Sequence, residues 1–199
     1  MEHWLIDEAK YFDTIKDECK VIFDIGASYS PYIEYPQEVH YFDPQPSVIE
    51  NLKGLTNANV KSYYNCFGLS DVETILPFYR YGDFVTATDF KIGDFPLKLG
   101  KNYVEENDIK NIDFLKIDVE GFELKVLKGF GEHLNKVKYI QFEYGTGLRD
   151  AGSNLLEVVN YLKEFGFEDF SIMSSGVIIT DFTDHWSLCN ITCINKNLR

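Results

Sequence analysis

Cysteine is scarce, with four in 199 residues. Cys19 and Cys66 stand alone. Cys189 and Cys193 lie four residues apart in a run that reads as one strand. Four strand residues span ~13 Å, beyond the ~7 Å between Cα atoms that a disulfide tolerates. No Cys/His group has zinc-ligand spacing; acidic oxygens could hold Mg²⁺, but no spacing in the chain demands a metal. Free thiols suit a reducing compartment. Long apolar runs are also missing. Nothing approaches the ~18 residues of a membrane span, and the start, MEHWLIDEAKYFDTIKDECK, has no signal-peptide core. These absences point to the cytoplasm and away from a membrane. Positive charge is short as well: 19 Lys and Arg face 32 Asp and Glu, a net charge of −13. Such a surface repels phosphate backbones, so nucleic acid is not an expected partner. Repeats, low-complexity tracts and linkers are absent, and the length suits one domain over residues 1–199, with residues 1–19 as a helical extension.

What is present is an alternation of short apolar runs and helical stretches. Ile6 to Asp17 has apolar residues at helical spacing. Cys19 to Ile25, Val39 to Asp43, Val60 to Phe67, Ile112 to Asp118 and Val137 to Glu143 read as strands. Thr74 to Tyr81 reads as an extra extended piece, and Gly82 to Gly100 as mostly loop, since it mixes Gly, Pro, Asp and Phe without a period. Helices are expected from a Ser47 cap through Leu55, before Asn107, from Glu123 to Leu134, and from a Ser153 cap to Gly166. Phe167 to Met173 and Leu188 to Ile194 close the sheet without a helix between them. This predicts an α/β fold with a doubly wound, mostly parallel sheet and an antiparallel edge hairpin.

In an open α/β sheet, ligands bind beyond the carboxyl ends of the strands. The segments there are Asp24-Ile-Gly-Ala-Ser28, Phe42-Asp43-Pro44-Gln45, Phe67-Gly68, Asp118-Val-Glu-Gly121 and Glu143-Tyr-Gly145. Asp43 follows Asp24 by 19 positions, where a carboxylate can accept the two ribose hydroxyls of an adenosine. A pyrophosphate needs a Gly-x-Gly-x-x-Gly turn, but the loop Gly26-Ala-Ser-Tyr-Ser-Pro31 has one glycine. Asp24 beside it would repel a phosphate and suits an ammonium and a sulfonium. The loop therefore favours S-adenosylmethionine over NAD. For Asp24 and Asp43 the plain alternatives are a loop cap and a turn residue before proline.

The runs Val21-Ile-Phe-Asp-Ile-Gly-Ala-Ser28, Tyr41-Phe-Asp-Pro-Gln-Pro46, Phe67-Gly-Leu-Ser-Asp71 and Ile112-Asp-Phe-Leu-Lys-Ile-Asp-Val-Glu-Gly-Phe-Glu-Leu-Lys-Val-Leu-Lys-Gly129 resemble the successive motifs of the FkbM-type methyltransferases. The resemblance runs from about Val21 to Phe167. It implies the seven-stranded class I methyltransferase sheet, S-adenosylmethionine as cofactor, and O-methylation of a hydroxyl on a sugar or small natural product. It places Asp24, Gly26, Ala27 and Ser28 at the methionine end of the cofactor and Asp43 and Pro44 at the ribose. Cys66, Phe67 and Gly68 fall near the adenine, and Asp118 and Glu120 at the reacting end. Three places depart from the pattern: Ser30 and Pro31 end the first loop without its usual glycine, the stretch to Asp43 is short with Pro31 and Pro36, and Lys98-Leu-Gly-Lys101 replaces a usual Thr-Leu-Asp.

Methyl transfer to an alcohol gains from a general base. Asp118, Glu120 and Glu143 all follow strand ends, with Asp118 and Glu120 the favoured pair, since neighbouring carboxylates raise one another's pKa. Glu120 is equally a helix-capping residue. Lys116, inside an apolar strand, must pair with an acid or snorkel at an edge, and His40 reads as core. His185 and Trp186 sit in a loop able to cover the pocket. A second reading of the chain is an interaction module that keeps the fold with weak or no catalysis.

Overall fold

The structure is a computed structural model that describes residues 3–29, 35, 37–57, 59–81, 84–86, 90–172, 177–182 and 188–199. Ser30, Pro31, Pro36, His185 and Trp186, singled out above, lie outside the described residues.

Five strands of the central sheet are short runs rich in β-branched and aromatic residues. They are β1 (Val21–Ile25), β2 (Glu38–Phe42), β3 (Ser62–Asn65), β8 (Ile112–Ile117) and β9 (Val137–Tyr144). All four pairings among them are parallel, in the order β9-β8-β1-β2-β3. The antiparallel edge adds β12 (Cys189–Asn195), β10 (Phe167–Ile172) and the two-residue β11 (Val177–Ile178). Leaving out β11, the sheet has seven strands, mostly parallel with an antiparallel edge, as expected. The strand order reverses between β1 and β8, so the ligand-binding crevice of this fold opens there.

Both faces are covered. On one side α1 (His3–Ile15) and α2 (Pro46–Leu55) bury Phe12, Ile15, Val48, Ile49 and Leu52 against Ile22, Val39, Tyr41 and Phe114. On the other side α3 (Gly100–Glu106), α4 (Glu123–Phe130) and α6 (Leu155–Glu164) pack Val104, Leu127, Phe130, Val159 and Leu162 on Phe23, Leu115, Ile140 and Phe142. A short α5 (Thr146–Asp150) follows β9.

Several boundaries differ from expectation. Ser47 does not cap α2: Pro46 occupies the first turn, where its missing N–H is harmless, and Gln45 is the N-cap. Ser153 does not cap α6: Asn154 does, accepting from Glu157 N at 3.0 Å. The helix from Glu123 stops at Phe130 and continues as a 3₁₀ turn, Gly131–Lys136. The third strand, expected from Val60 to Phe67, spans only Ser62–Asn65, and Gly68–Ser70 beyond it forms β4 of a second sheet.

That second sheet is the largest correction. Gly82 to Gly100 is not mostly loop. β5 (Thr74–Tyr81) pairs antiparallel with β6 (Phe84–Thr86) and β7 (Phe90–Leu99), and β7 pairs parallel with β4. Gly93, Asp94 and Pro96 hide β7 from a period reading. They are tolerated because the hairpin has one open face and a register shift beside Gly93.

Candidate active site

The crevice between β1 and β8 is closed at its floor by backbone. Gly26 turns the chain off β1 at φ +80°. A Cβ there would sit 1.7 Å from the Asp118 carbonyl oxygen, so only glycine lets the loop cross the end of β8. Gly26 N and Ala27 N both reach the Phe42 carbonyl, at 2.9 and 3.3 Å, and Asp118 N donates to Ile25 O at 2.9 Å. The ends of β1, β2 and β8 are thus tied together through main chain.

Asp24 sits on β1 directly below this turn and is 3% exposed. Its Oδ1 has no hydrogen-bond partner. Burial raises its carboxyl above the ordinary range, Lys116 and the Tyr35 hydroxyl draw it back, and the Asp118 charge adds to the rise. Asp43 follows β2. Its Oδ1 accepts from Gln45 N at 2.8 Å, and the Ser28 N–H also bonds to the carboxyl. Burial raises it to about 6 despite those two donors. Cys66 is exposed and its thiol points to the Pro44 carbonyl at 3.8 Å. Gly68 packs beside Pro44 and Leu97, and Phe67 stands edge-on to Phe42 with Lys98 Nζ 4.4 Å from its ring centre. The residues expected around a cofactor therefore form one rim along β1, β2 and the end of β3.

Across the crevice, Asp118, Glu120 and Glu143 each offer an oxygen within 4.8 Å of the other two. The turn that achieves this is tight. Glu120 has φ +53°, and Gly121 has φ +105°, with the Gly147 carbonyl oxygen 2.2 Å from where its Cβ would be. Glu123, which sequence reasoning missed, holds the turn. Its Oε1 accepts from Val119 N at 3.2 Å and Gly121 N at 3.1 Å. It is Glu123, the first residue of α4, whose carboxylate gathers the N–H groups of the turn that precedes the helix. A visible signal was its place in the first turn of a helix, where a carboxylate meets unpaired N–H groups. Burial raises Glu123 to about 7 against those donors. Burial raises Glu120 as well, with Asp118 adding.

Glu143 is the most perturbed of the three. Burial, then the charges of Asp118, Glu120 and Glu123, raise it to about 9, and Lys116 offsets only part. The carboxyl therefore resists ionisation.

Lys116 is paired with acids, as its place in an apolar strand requires. It is 5% exposed, its Nζ donates to Asp118 Oδ2 at 3.2 Å, and it lies 3.9 Å from Asp24 Oδ1. His40 is core: it is 1% exposed, bonded to the Tyr103 hydroxyl at 2.8 Å and stacked on Tyr63.

Residues 96–168 match the methyltransferase FkbM domain. No curated protein matches the chain in sequence. Among solved structures, the chain is similar to a TehB-like SAM-dependent methyltransferase from Corynebacterium glutamicum, at 12% identity and a TM-score of 0.54 over 96% of this chain and 88% of that one. It is similar to the N-methyltransferase NodS from Bradyrhizobium japonicum, at 10% identity and 0.53 over 95% and 94%. It is similar to the plantazolicin methyltransferase BpumL in complex with SAH, at 13% identity and 0.52 over 96% and 82%. At such identities the likeness is one of fold.

Proposed function

We propose, from the premise that this chain carries a FkbM methyltransferase domain across residues 96–168 on a class I methyltransferase fold, that it binds S-adenosylmethionine and methylates a hydroxyl on a sugar, glycan or small natural product. One domain spanning residues 1–199, with α1 as an extension, does this work. The observation that carries the reading is the pairing of two acidic rims across one crevice. Asp24 and Asp43 line the side of β1 and β2. Asp118, Glu120 and Glu143 line the side of β8 and β9.

The residues fit the cofactor on the evidence of charge. Asp24 has an orphaned buried oxygen beside a single-glycine loop, a partner for an ammonium and a poor neighbour for a phosphate. In this reading Asp24, Gly26, Ala27 and Ser28 meet the methionine end, Asp43 and Pro44 meet the ribose, and Cys66, Phe67 and Gly68 meet the adenine. When bound, the cofactor supplies an electrophilic methyl group on a sulfonium, so the protein's task is to place and desolvate the partners. Asp118 and Glu120 then take up the proton of the acceptor hydroxyl. Protonated Glu143 donates a hydrogen bond that keeps the neighbouring carboxylates from mutual repulsion. An acceptor rich in hydroxyl donors suits such a wall, and a phosphorylated one does not.

The test is transfer of labelled methyl from S-adenosylmethionine to a panel of sugars and small hydroxylated natural products. The expected result is label in an O-methyl ether, lost in Asp118→Asn. Label found in an N-methyl product would overturn the choice of acceptor.

A further inference from the structure

Lys116 is a charged residue inside the central strand of the sheet, and its strand register explains where its charge goes. In the β1–β8 pairing it stands directly opposite Asp24, and in the β8–β9 pairing opposite Gln141. Side chains alternate along a strand, so Lys116 and Asp118 share a face. Its ammonium therefore reaches Asp118 Oδ2 at 3.2 Å along its own strand and stands 3.9 Å from Asp24 Oδ1 across the crevice. Asp24 and Lys116 are both at least 95% buried, with 3% and 5% exposure. A buried carboxylate without a cation takes up a proton. Among the described residues, the groups that face Asp24 are Lys116 from β8, Tyr41 from β2, the Tyr35 hydroxyl and Asp118. Lys116 is the cation among them.

We infer that Lys116 is a positioning residue that links the two rims: it keeps Asp24 charged and oriented for the cofactor's ammonium, and holds Asp118 at the reacting end. The inference rests on the reading that Asp24 meets that ammonium. It adds a direct physical connection between cofactor binding and the acceptor-side carboxylates. A ligand ammonium arriving at Asp24 takes over part of the charge that Lys116 balances, and leaves the Lys116 ammonium more fully on Asp118. No bond is made or broken; only the share of Lys116 between two carboxylates changes.

Two measurements on the full chain test it, with S-adenosylhomocysteine as the probe, since it keeps the ammonium. In protein labelled with ¹⁵N on lysine side chains, the Lys116 ammonium signal, identified by its loss in Lys116→Arg, should move on saturation with the probe. A signal that stays put while the probe binds elsewhere-visible residues overturns the inference. In calorimetry, Lys116→Met should weaken probe binding at least tenfold beside Asp24, and less than twofold in an Asp24→Asn background. An equal loss in both backgrounds would mean that Lys116 only supports the fold, and no loss would remove it from the site. If Lys116→Met fails to fold, the lysine signal of the parent protein decides alone. If the parent does not bind the probe at millimolar levels, the cofactor reading fails first and takes this inference with it, an outcome visible before any variant is made.

Discussion

At the amino end of the central sheet Asp113 and Glu38 both have partners. Asp113 Oδ2 accepts from Lys20 N at 2.7 Å and Val21 N at 2.9 Å, and so fastens the start of β1 to β8. Glu38 binds Lys61 at 2.7 Å and His40 at 3.3 Å. Burial acts to raise the Glu38 carboxyl, but those two partners hold it below the ordinary range. At the carboxyl end the same residue types are left under strain. Asp43, Glu123 and Glu143 are raised to about 6, 7 and 9, and Asp24 keeps an orphaned oxygen. One sheet thus has a structural end and a working end. Carboxylates at the first stabilise the fold, whereas those at the second are retained against stability, the pattern expected of a site.

Substitutions can break that contrast, and the largest effect belongs to its hinge. Gly26→Ala places a methyl group against the Asp118 carbonyl and forces a left-handed backbone on alanine. It should lower the unfolding free energy by about 4 kcal/mol or more, seen in urea titration. Asp113→Ala, at the settled end, should cost about 2 kcal/mol, because two backbone donors lose their acceptor. Glu143→Gln should act in the opposite direction. It keeps the shape and removes a group that resists ionisation, so at pH 8.5 thermal unfolding should move up by a few degrees, about 1 kcal/mol. A loss of stability there would contradict the contrast. Glu38→Gln should have the smallest effect, about 0.5 kcal/mol, since its partner Lys61 is exposed.

The pH dependence sharpens the same comparison. Asp43, Glu123 and Glu143 have folded-state pKa values above the ordinary carboxyl value of about 4. Their folded forms bind protons more tightly than the unfolded chain does. The stability they contribute is complete below about pH 4 and is lost as pH rises through about 6, 7 and 9. The parent should therefore lose unfolding free energy between pH 5.5 and 8.5, and Glu143→Gln should lose less. Equal slopes in the two proteins would remove Glu143 from the strained set.

Much of this was legible in the residues, for physical reasons. β1, β2, β8 and β9 are buried on both faces, so they are nearly continuous apolar runs, and an acidic residue interrupting or ending one stands out. Asp24, Asp43, Asp118 and Glu143 were visible in this way. β5 was expected as an extended piece, but its partners β6 and β7 were not, because a strand with one open face accepts Gly93, Asp94 and Pro96, which read as loop. Glu123 was marked only by its place at the start of a helix, because its partners are backbone N–H groups, which no side-chain pattern displays. Lys116 was seen to need either an acid or an edge position, and the structure gives it acids. Which acid depends on the β1–β8 register, and that register is set only when the sheet forms.

The claim on which the account turns is that the strained end of the sheet holds S-adenosylmethionine. Calorimetry of the parent chain and of Asp43→Ala with S-adenosylmethionine tests it most directly. The account predicts saturable binding at or below millimolar concentration by the parent and at least tenfold weaker binding by the variant. Absence of binding at millimolar concentration, or equal affinity in both proteins, would contradict it.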